Sequence, residues 1–218
     1  MGELVNVPAH DALTRLIEGN DRYVRNLRSI ESFVTQEQRE SLIEGQSPFA
    51  IILSCADSRV PAEHIFDCGL GALFVCRVAG NVVAPSIIGS VEFAAEAFGT
   101  QLVVVMGHTR CGAVSATLSA LKHAQAPLSP NLRDIVDRIA PSVHELVDLV
   151  QDEDACLNAA VRANVRSSAN QLRHGSRVLE KLLAEDRLMV VGAEYALETG
   201  RVHFFDGVGE SGDSQGSK

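Results

Sequence analysis

The sequence predicts an α/β protein: a mainly parallel central β-sheet flanked by α-helices, with an N-terminal helical arm. Short runs made almost wholly of apolar residues, such as 49–53 and 101–106, are typical of strands buried on both faces of a parallel sheet. Helical patterns separate these runs, as in alternating β/α folds. The 218 residues, 46% of them hydrophobic, suffice for one domain with a sizeable core.

Helical and strand patterns alternate from the first residues onward. Residues 11–27 carry apolar side chains at helical spacing, and Thr35 with Gln38 forms a capping box that opens a second helix reaching about Ile43. Pro61 begins a short helical turn. Strands are expected at 49–53, 73–78, 101–106, 187–191 and 202–205. Further helices are expected at 85–98, at 111–121 and across 131–184, with interruptions near Pro141 and Gly175.

We expect one domain over residues 1–206. The remaining segment, 207–218, is rich in Gly and Ser and has little to bury, so we expect it to be a disordered tail.

Composition and charge exclude several classes of function. The net charge of −9 argues against binding of nucleic acid, which needs a basic face. No apolar run reaches the roughly 20 residues that span a bilayer, and the first residues do not resemble a secretion signal. Five scattered cysteines, an odd number, do not indicate a disulfide framework. A cytoplasmic protein is the expectation.

Two thiols and an imidazole stand next to predicted strand ends. Cys55 follows the first strand, and His108 follows the third, with Cys111 three residues later. Because ligands bind beyond the carboxyl ends of parallel strands, both motifs meet on one rim if those strands are neighbours. Two thiolates and an imidazole form a zinc ligand set that leaves a fourth position for a reacting water. The alternative is a buried thiol beside an ordinary polar turn.

Asp57 and Arg59 come directly after the first thiol. An arginine fork matches a carboxylate bidentately, and such a pair lowers the carboxyl pKa and holds one oxygen as an acceptor. Beside a metal-bound water, that oxygen accepts a hydrogen and orients the water. The alternative is a surface ion pair worth at most about 1 kcal/mol. We predict that Asp57 and Arg59 are the catalytic pair of a hydrolytic or hydratase zinc centre.

The segments that carry these residues resemble the β-class carbonic anhydrases. Ser54–Pro61, reading SCADSRVP, is similar to that family's first zinc motif, and Gly107–Val114, reading GHTRCGAV, is similar to its second. Leu73–Asn81 is similar to the strand and loop beside the family's active site. The resemblance runs from about residue 10 to residue 206.

The resemblance implies an enzyme that reversibly hydrates carbon dioxide to bicarbonate and a proton. Cys55, His108 and Cys111 would bind one Zn²⁺ per chain, and the metal would lower the pKa of its water toward ~7, so that hydroxide attacks CO₂. In the family's open state the carboxylate of Asp57 pairs with Arg59. In the closed state Asp57 binds zinc as a fourth metal ligand.

The resemblance also implies substrate contacts from Gln46, Phe74, Phe93 and Gly112. Gln46 and Phe74 match a plant-like branch of the family. Phe93 stands where that branch commonly has Tyr, which removes one hydrogen bond to substrate.

Another branch of the family has closed, bicarbonate-inhibited sites built around a Trp-Arg-Tyr pocket. Arg77 and Tyr195 match two members of this pocket, but Ile52 occupies the Trp position and the chain has no Trp. We therefore expect a site that is open at neutral pH.

The resemblance implies a homodimer or a dimer of dimers, with the N-terminal helix on the partner subunit or, alternatively, within its own subunit. Two other functions stay open: hydrolysis of CS₂ or COS at a similar zinc site, and a non-catalytic zinc-binding scaffold protein. The Asp57–Arg59 pair argues against the scaffold, because a purely structural site does not need it.

Overall fold

The computed structural model describes residues 7–32, 34–122 and 128–209 of the chain. A five-stranded sheet carries helices on both faces. The strands are β1 Ala50–Ser54, β2 Leu73–Arg77, β3 Leu102–His108, β4 Met189–Tyr195 and β5 Val202–Asp206. The helices are α1 Ala9–Val24, α2 Gln36–Ser41, α3 Ala62–Ile65, α4 Pro85–Ala97, α5 Gly112–Lys122, α6 Pro130–Val143, α7 Leu146–Leu149, α8 Glu153–His174 and α9 Arg177–Ala184.

The sheet is mainly parallel, which confirms the predicted fold class. Its strand order is β2-β1-β3-β4-β5; only the pairing of β4 with β5 is antiparallel. β1 and β3 are direct neighbours, with Ser54 opposite Met106. The carboxyl ends of these two strands therefore lie side by side.

Both faces of the sheet are apolar, as the continuous runs predicted. Ile52 and Val104 pack on one face with Leu16 of α1. Ile51 and Val105 point to the opposite face, where the core includes residues of α4, α8 and α9. Successive residues of a strand point to opposite faces of the sheet. A strand whose two faces are both buried therefore has a continuous apolar sequence instead of alternating apolar and polar residues.

Two strands extend further than the sequence predicts, and a glycine explains each case. β3 continues through Gly107 to His108, and β4 continues through Gly192 to Tyr195. A glycine weakens a strand, so the pattern alone favours a strand end there. A Cβ at either glycine would lie within 3 Å of a methyl group of Val165 on α8. Both glycines are thus needed for the close approach of α8 to the sheet.

The N-terminal helix packs on its own chain. Leu13 and Leu16 are buried in the core. The buried Asn20 amide donates to the carbonyls of Ile65 and Gly200, at 3.2 and 2.8 Å. The described contacts of α1 therefore lie within its own subunit, and its packing on a partner subunit stays a prediction.

The end of the chain was expected to be a disordered tail from residue 207. Val208 packs against the core, whereas residues 210–218 lie outside the described part of the chain. The single-domain boundary at 206 stays a prediction. In the described ranges, no helix is both long and apolar enough to cross a membrane.

A buried carboxylate holds the end of α1 in place. The Asp67 side chain is fully buried and accepts from Arg22 Nε at 2.7 Å and from the Ser29 amide at 3.0 Å. Burial alone would raise the pKa of Asp67, but the hydrogen bonds from Arg22 and Ser29 outweigh it and hold that pKa below its ordinary value. The ionised carboxylate is therefore the form that stabilises the fold.

We expect Asp67→Asn to lower the free energy of unfolding at pH 7 by about 1–3 kcal/mol, because it removes charge-assisted hydrogen bonds. Asn suits the backbone, since residue 67 has a φ of 48°. A carboxyl group with a depressed folded-state pKa stabilises above its unfolded pKa of ~3.9 and loses that contribution as the pH falls. Urea unfolding from pH 7 to pH 3 should therefore show the gap between wild type and variant closing below about pH 4.

Asp21→Asn is the matched control for Asp67→Asn. Asp21 pairs with Arg25 on the surface of α1, with side chains 45% and 65% exposed, so its loss should change stability by less than about 1 kcal/mol. A difference in unfolding free energy between wild type and Asp67→Asn that stays constant with pH would contradict the role given to the charge of Asp67.

Candidate metal centre

Two strand ends and one helix start bring the three predicted ligand residues together. Cys55 is the first residue after β1, and His108 is the last residue of β3. A two-residue turn follows, and Cys111 comes directly before α5, which begins at Gly112. The parallel pairing of β1 with β3 puts both motifs on one rim, as the sequence predicted.

The three side chains form a compact buried group, here called the candidate metal centre. The ligand atoms of Cys55, His108 and Cys111 lie within 4.8 Å of one another, and the two sulfurs are 4.0 Å apart. In a tetrahedral zinc site with Zn–S bonds of about 2.3 Å, two sulfurs lie about 3.8 Å apart. The spacing therefore fits one such ion. All three residues are at most 4% exposed.

The imidazole of His108 is fixed in the tautomer that a metal requires. Nδ1 lies 2.8 Å from the carbonyl oxygen of Thr109, which can only accept, so Nδ1 carries the hydrogen. Nε2 then has a free lone pair, and within the described residues this buried atom has no hydrogen-bond partner. A buried acceptor without a partner is costly, and a cation between it and the two sulfurs removes that cost.

The two thiols lie within hydrogen-bonding distance of each other. A hydrogen bond from Cys111 lowers the pKa of the Cys55 thiol, and this effect outweighs burial, which raises it. The same hydrogen bond, together with burial, raises the pKa of Cys111. Two thiolates this close and this buried repel each other strongly without a cation. The donor set of two sulfurs and one imidazole suits a borderline-soft metal ion.

Asp57 and Arg59 form a bidentate pair at the edge of this centre. Arg59 donates from Nε to Oδ1 at 2.9 Å and from Nη2 to Oδ2 at 2.7 Å, and its backbone amide also donates to Oδ1. These bonds hold the pKa of Asp57 well below its ordinary value. Asp57 Oδ2 lies 3.8 Å from Nε2 of His108. The carboxylate is thus adjacent to the three convergent ligand atoms but turned toward Arg59.

Residues distant in the sequence bind the turn that follows Cys55 and the turn between His108 and Cys111. The guanidinium of Arg77, at the end of β2, donates to the backbone carbonyls of Cys55 and Asp57. Glu198 accepts from Thr109 Oγ1 and from Arg110 Nε, both at 2.9 Å, and so fixes the turn before Cys111. The sequence did not predict these hydrogen bonds, because it does not indicate which parallel strands lie next to each other.

Arg77 and Tyr195, which sequence matching placed in a bicarbonate pocket, have other partners in the structure. Arg77 binds the carbonyls just described, and the Tyr195 hydroxyl lies 3.3 Å from that of Tyr23. Ile52 is fully buried in the core.

Three of the four predicted substrate residues lie together, away from the metal centre of their own chain. The rings of Phe74, Phe93 and Phe98 contact one another, with centroids 5.4–6.3 Å apart. Gln46 lines a groove that also includes Phe98. Phe74 pairs with Ile51, four residues before Cys55, which is about 13 Å along a strand. Only the fourth predicted residue, Gly112, adjoins a ligand residue.

Comparisons with known proteins agree with this fold and site. A family profile described as carbonic anhydrase matches residues 50–202. The chain is 38% identical over 200 residues to carbonic anhydrase 2 of Mycobacterium tuberculosis, covering 91% of this chain and 93% of that protein. It is 35% identical to a carbonic anhydrase of Pseudomonas aeruginosa, covering 77% and 78% of the two chains.

Solved structures give the class within the family. The β-carbonic anhydrase CcaA superposes with a TM-score of 0.72 at 25% identity, covering 91% of this chain and 93% of that one. The fold is also shared with the β-carbonic anhydrase CafA of Aspergillus fumigatus, with a TM-score of 0.71, 23% identity and coverage of 92% and 94%. Fold and site together define a β-class architecture. The chain belongs to the carbonic anhydrase family.

Proposed function

We propose that this protein is a zinc-dependent carbonic anhydrase that catalyses CO₂ + H₂O ⇌ HCO₃⁻ + H⁺. The observation that carries the proposal is the buried convergence of Cys55, His108 and Cys111 beside the Asp57–Arg59 pair. Membership of the carbonic anhydrase family supports the same reaction.

The three ligand residues would hold zinc through Cys55 Sγ, Cys111 Sγ and His108 Nε2. Three protein ligands leave one tetrahedral position for water or substrate, which is typical of catalytic zinc rather than structural zinc. A zinc ion held there supplies a Lewis acid that makes water nucleophilic near neutral pH. His108 is kept in the required tautomer by the carbonyl of Thr109.

Asp57 would orient the attacking water, and Arg59 would position Asp57. Arg59 keeps the carboxylate ionised, so its oxygens accept hydrogen bonds but do not donate them. Oδ2 is the oxygen nearer to the imidazole of His108, where it can accept the hydrogen of a water in the open position. Engagement of both oxygens by Arg59 supports the prediction of an open site, in which Asp57 is not a metal ligand.

The first test combines metal content with hydration of CO₂. We expect one zinc per chain by atomic absorption and rapid hydration in a stopped-flow indicator assay at pH 7 and 8.5. Cys55→Ser should lose both, because an alcohol is a poor zinc ligand beside a thiolate. Cys156→Ser is the matched control: this thiol is also buried but bonds to the Leu146 carbonyl instead, so zinc and activity should persist.

The same assay separates the other functions. Bound zinc without hydration at either pH would contradict the proposal, and CS₂ and COS should then be assayed with the same protein. Absence of turnover with all three substrates would point to a non-catalytic zinc protein. Activity at pH 8.5 alone would mean that Asp57 closes the site near neutrality.

A second prediction concerns the carboxylate. Asp57→Ala should retain zinc but lower kcat/KM by about 100-fold or more, since a reacting water that is no longer oriented can cost that much in rate. Asp134→Ala is the matched control, because Asp134 forms a bidentate pair with Arg138 on the surface of α6. Equal activity of Asp57→Ala and wild type would refute the role of Asp57.

We further propose a homodimer or a dimer of dimers in which a second copy completes the substrate pocket. Gln46, Phe74 and Phe93 lie away from their own metal centre, so they can contact substrate only at the centre of another copy. Their surroundings are apolar and open: Phe93 is 55% exposed and Ile43 79% exposed. Solved relatives include tetrameric β-carbonic anhydrases of Sordaria macrospora, which supports association.

Phe93→Glu should therefore shift the protein toward monomer and lower hydration while leaving the zinc content unchanged. Sedimentation equilibrium measures the first effect, and the assays above measure the others. Leu132→Glu is the control, because Leu132 is 54% exposed on α6, outside the phenylalanine cluster. A monomeric wild type with full activity would contradict the completed pocket.

A cytoplasmic location stays our proposal. It is supported by the odd number and scattered positions of the five cysteines, which do not indicate the disulfide framework typical of oxidising compartments.

A further inference from the structure

A left-handed turn lies against the sulfur of Cys55. Gly80 and Asn81 both have positive φ angles, of 67° and 44°. The Gly80 amide donates to Cys55 Sγ at 3.4 Å. Glycine and asparagine are the residues that adopt the left-handed region most readily, so this pair suits a tight turn beside the sulfur.

Space around Gly80 shows that this turn is held tightly. A Cβ at this position would lie 2.8 Å from Ile139 Cδ1 and 3.1 Å from the Cβ of Ala113. The Cα of Gly80 is therefore packed against α5 and α6, and its φ of 67° makes any residue other than glycine unfavourable there.

Two buried side chains of α8 fasten the turn from its far side. Asn164 Nδ2 donates to the Gly80 carbonyl at 2.7 Å, and Ser168 Oγ donates to the Asn81 carbonyl at 3.1 Å. Asn164 and Ser168 are each 2% exposed. They lie one helical turn apart, so one face of α8 donates hydrogen bonds to two successive backbone carbonyls. Neither side chain contacts a ligand residue in the hydrogen bonds described.

We propose that Asn164, seconded by Ser168, is a positioning residue for the metal-binding sulfur. By fixing the Gly80–Asn81 turn, it aims the Gly80 amide at Cys55 Sγ and holds that amide there. This inference rests on the proposed zinc site, which it deepens by adding a support beyond the ligands. Hydrogen bonds to ligand atoms orient them and tune their donation to the metal.

The hydrogen bond to sulfur has a defined electronic consequence. An amide dipole pointing at a thiolate lowers the energy of the sulfur lone pairs, so the sulfur gives less charge to the ion. Loss of the dipole raises the energy of those lone pairs, and the sulfur-to-metal charge-transfer transition then moves to lower energy. A residue that only stabilised the fold would leave this transition in place.

The test uses the full chain with zinc and with cobalt in place of zinc. In Asn164→Ala we expect the thiolate-to-cobalt charge-transfer band to move to lower energy. Chelator competition should show zinc affinity weakened by about 10-fold, as for other losses of support beyond the ligands. Ser168→Ala should shift the band in the same direction by a smaller amount, since it releases only the neighbouring carbonyl.

Asn20→Ala is the matched control. Asn20 is also a buried asparagine that binds two backbone carbonyls, but it joins α1 to Ile65 and Gly200. It should destabilise the protein without moving the cobalt band or the zinc affinity. If Asn164→Ala does not fold, the cobalt band and zinc affinity of Ser168→Ala test the positioning role instead.

The outcomes separate this inference from the proposed function. A wild type that takes up no zinc would overturn the proposed function itself. A zinc-binding wild type whose band and affinity are unchanged in folded Asn164→Ala would overturn only the positioning role. An equal band shift in Asn20→Ala would do the same, because it would trace the effect to general loosening of the fold.

Discussion

Parallel pairing of β1 with β3 is the constraint on which the candidate metal centre depends. Each strand delivers its ligand at its carboxyl end, so Cys55 and His108 meet only because the two strands run in the same direction and lie side by side. A parallel neighbour needs a crossover, and the intervening chain provides it through β2 and α4. The sheet is therefore the rigid base that sets the distance between the two motifs.

The turns beyond the strand ends are less regular and need support. Arg110, between His108 and Cys111, has a φ of 55°, and Gly80 lies in the same left-handed region. Each turn is tied to an element distant in sequence: the first to Glu198 and the second to Asn164 on α8. Preorganisation of this kind keeps ligand atoms in place before any ion arrives, which is what a catalytic metal site requires.

Burial divides the site into two electrostatic zones. The inner zone holds two thiols and the imidazole of His108 with almost no exposure, so it strongly favours a cation. The outer zone holds Asp57 and Arg59, whose side chains are 19% and 51% exposed and neutralise each other. In the proposed function, a neutral substrate such as CO₂ would meet little net charge beside this pair, and the carboxylate would stay available as a hydrogen-bond acceptor.

The sequence alone determined the strand and helix order and indicated the candidate ligand residues, because these follow from apolar runs and from donor types at strand ends. The capping box of Thr35 with Gln38, for example, is present at the start of α2. The ends of β3 and β4 were not predictable, since Gly107 and Gly192 are needed for the close packing of α8, which is distant in the sequence. Strand order, the supports from Arg77, Glu198 and Asn164, and the distance of Phe74 from its own metal centre were decided only by the tertiary structure. The reason is physical: local patterns fix what a segment can form, whereas contacts between distant segments depend on how those segments pack.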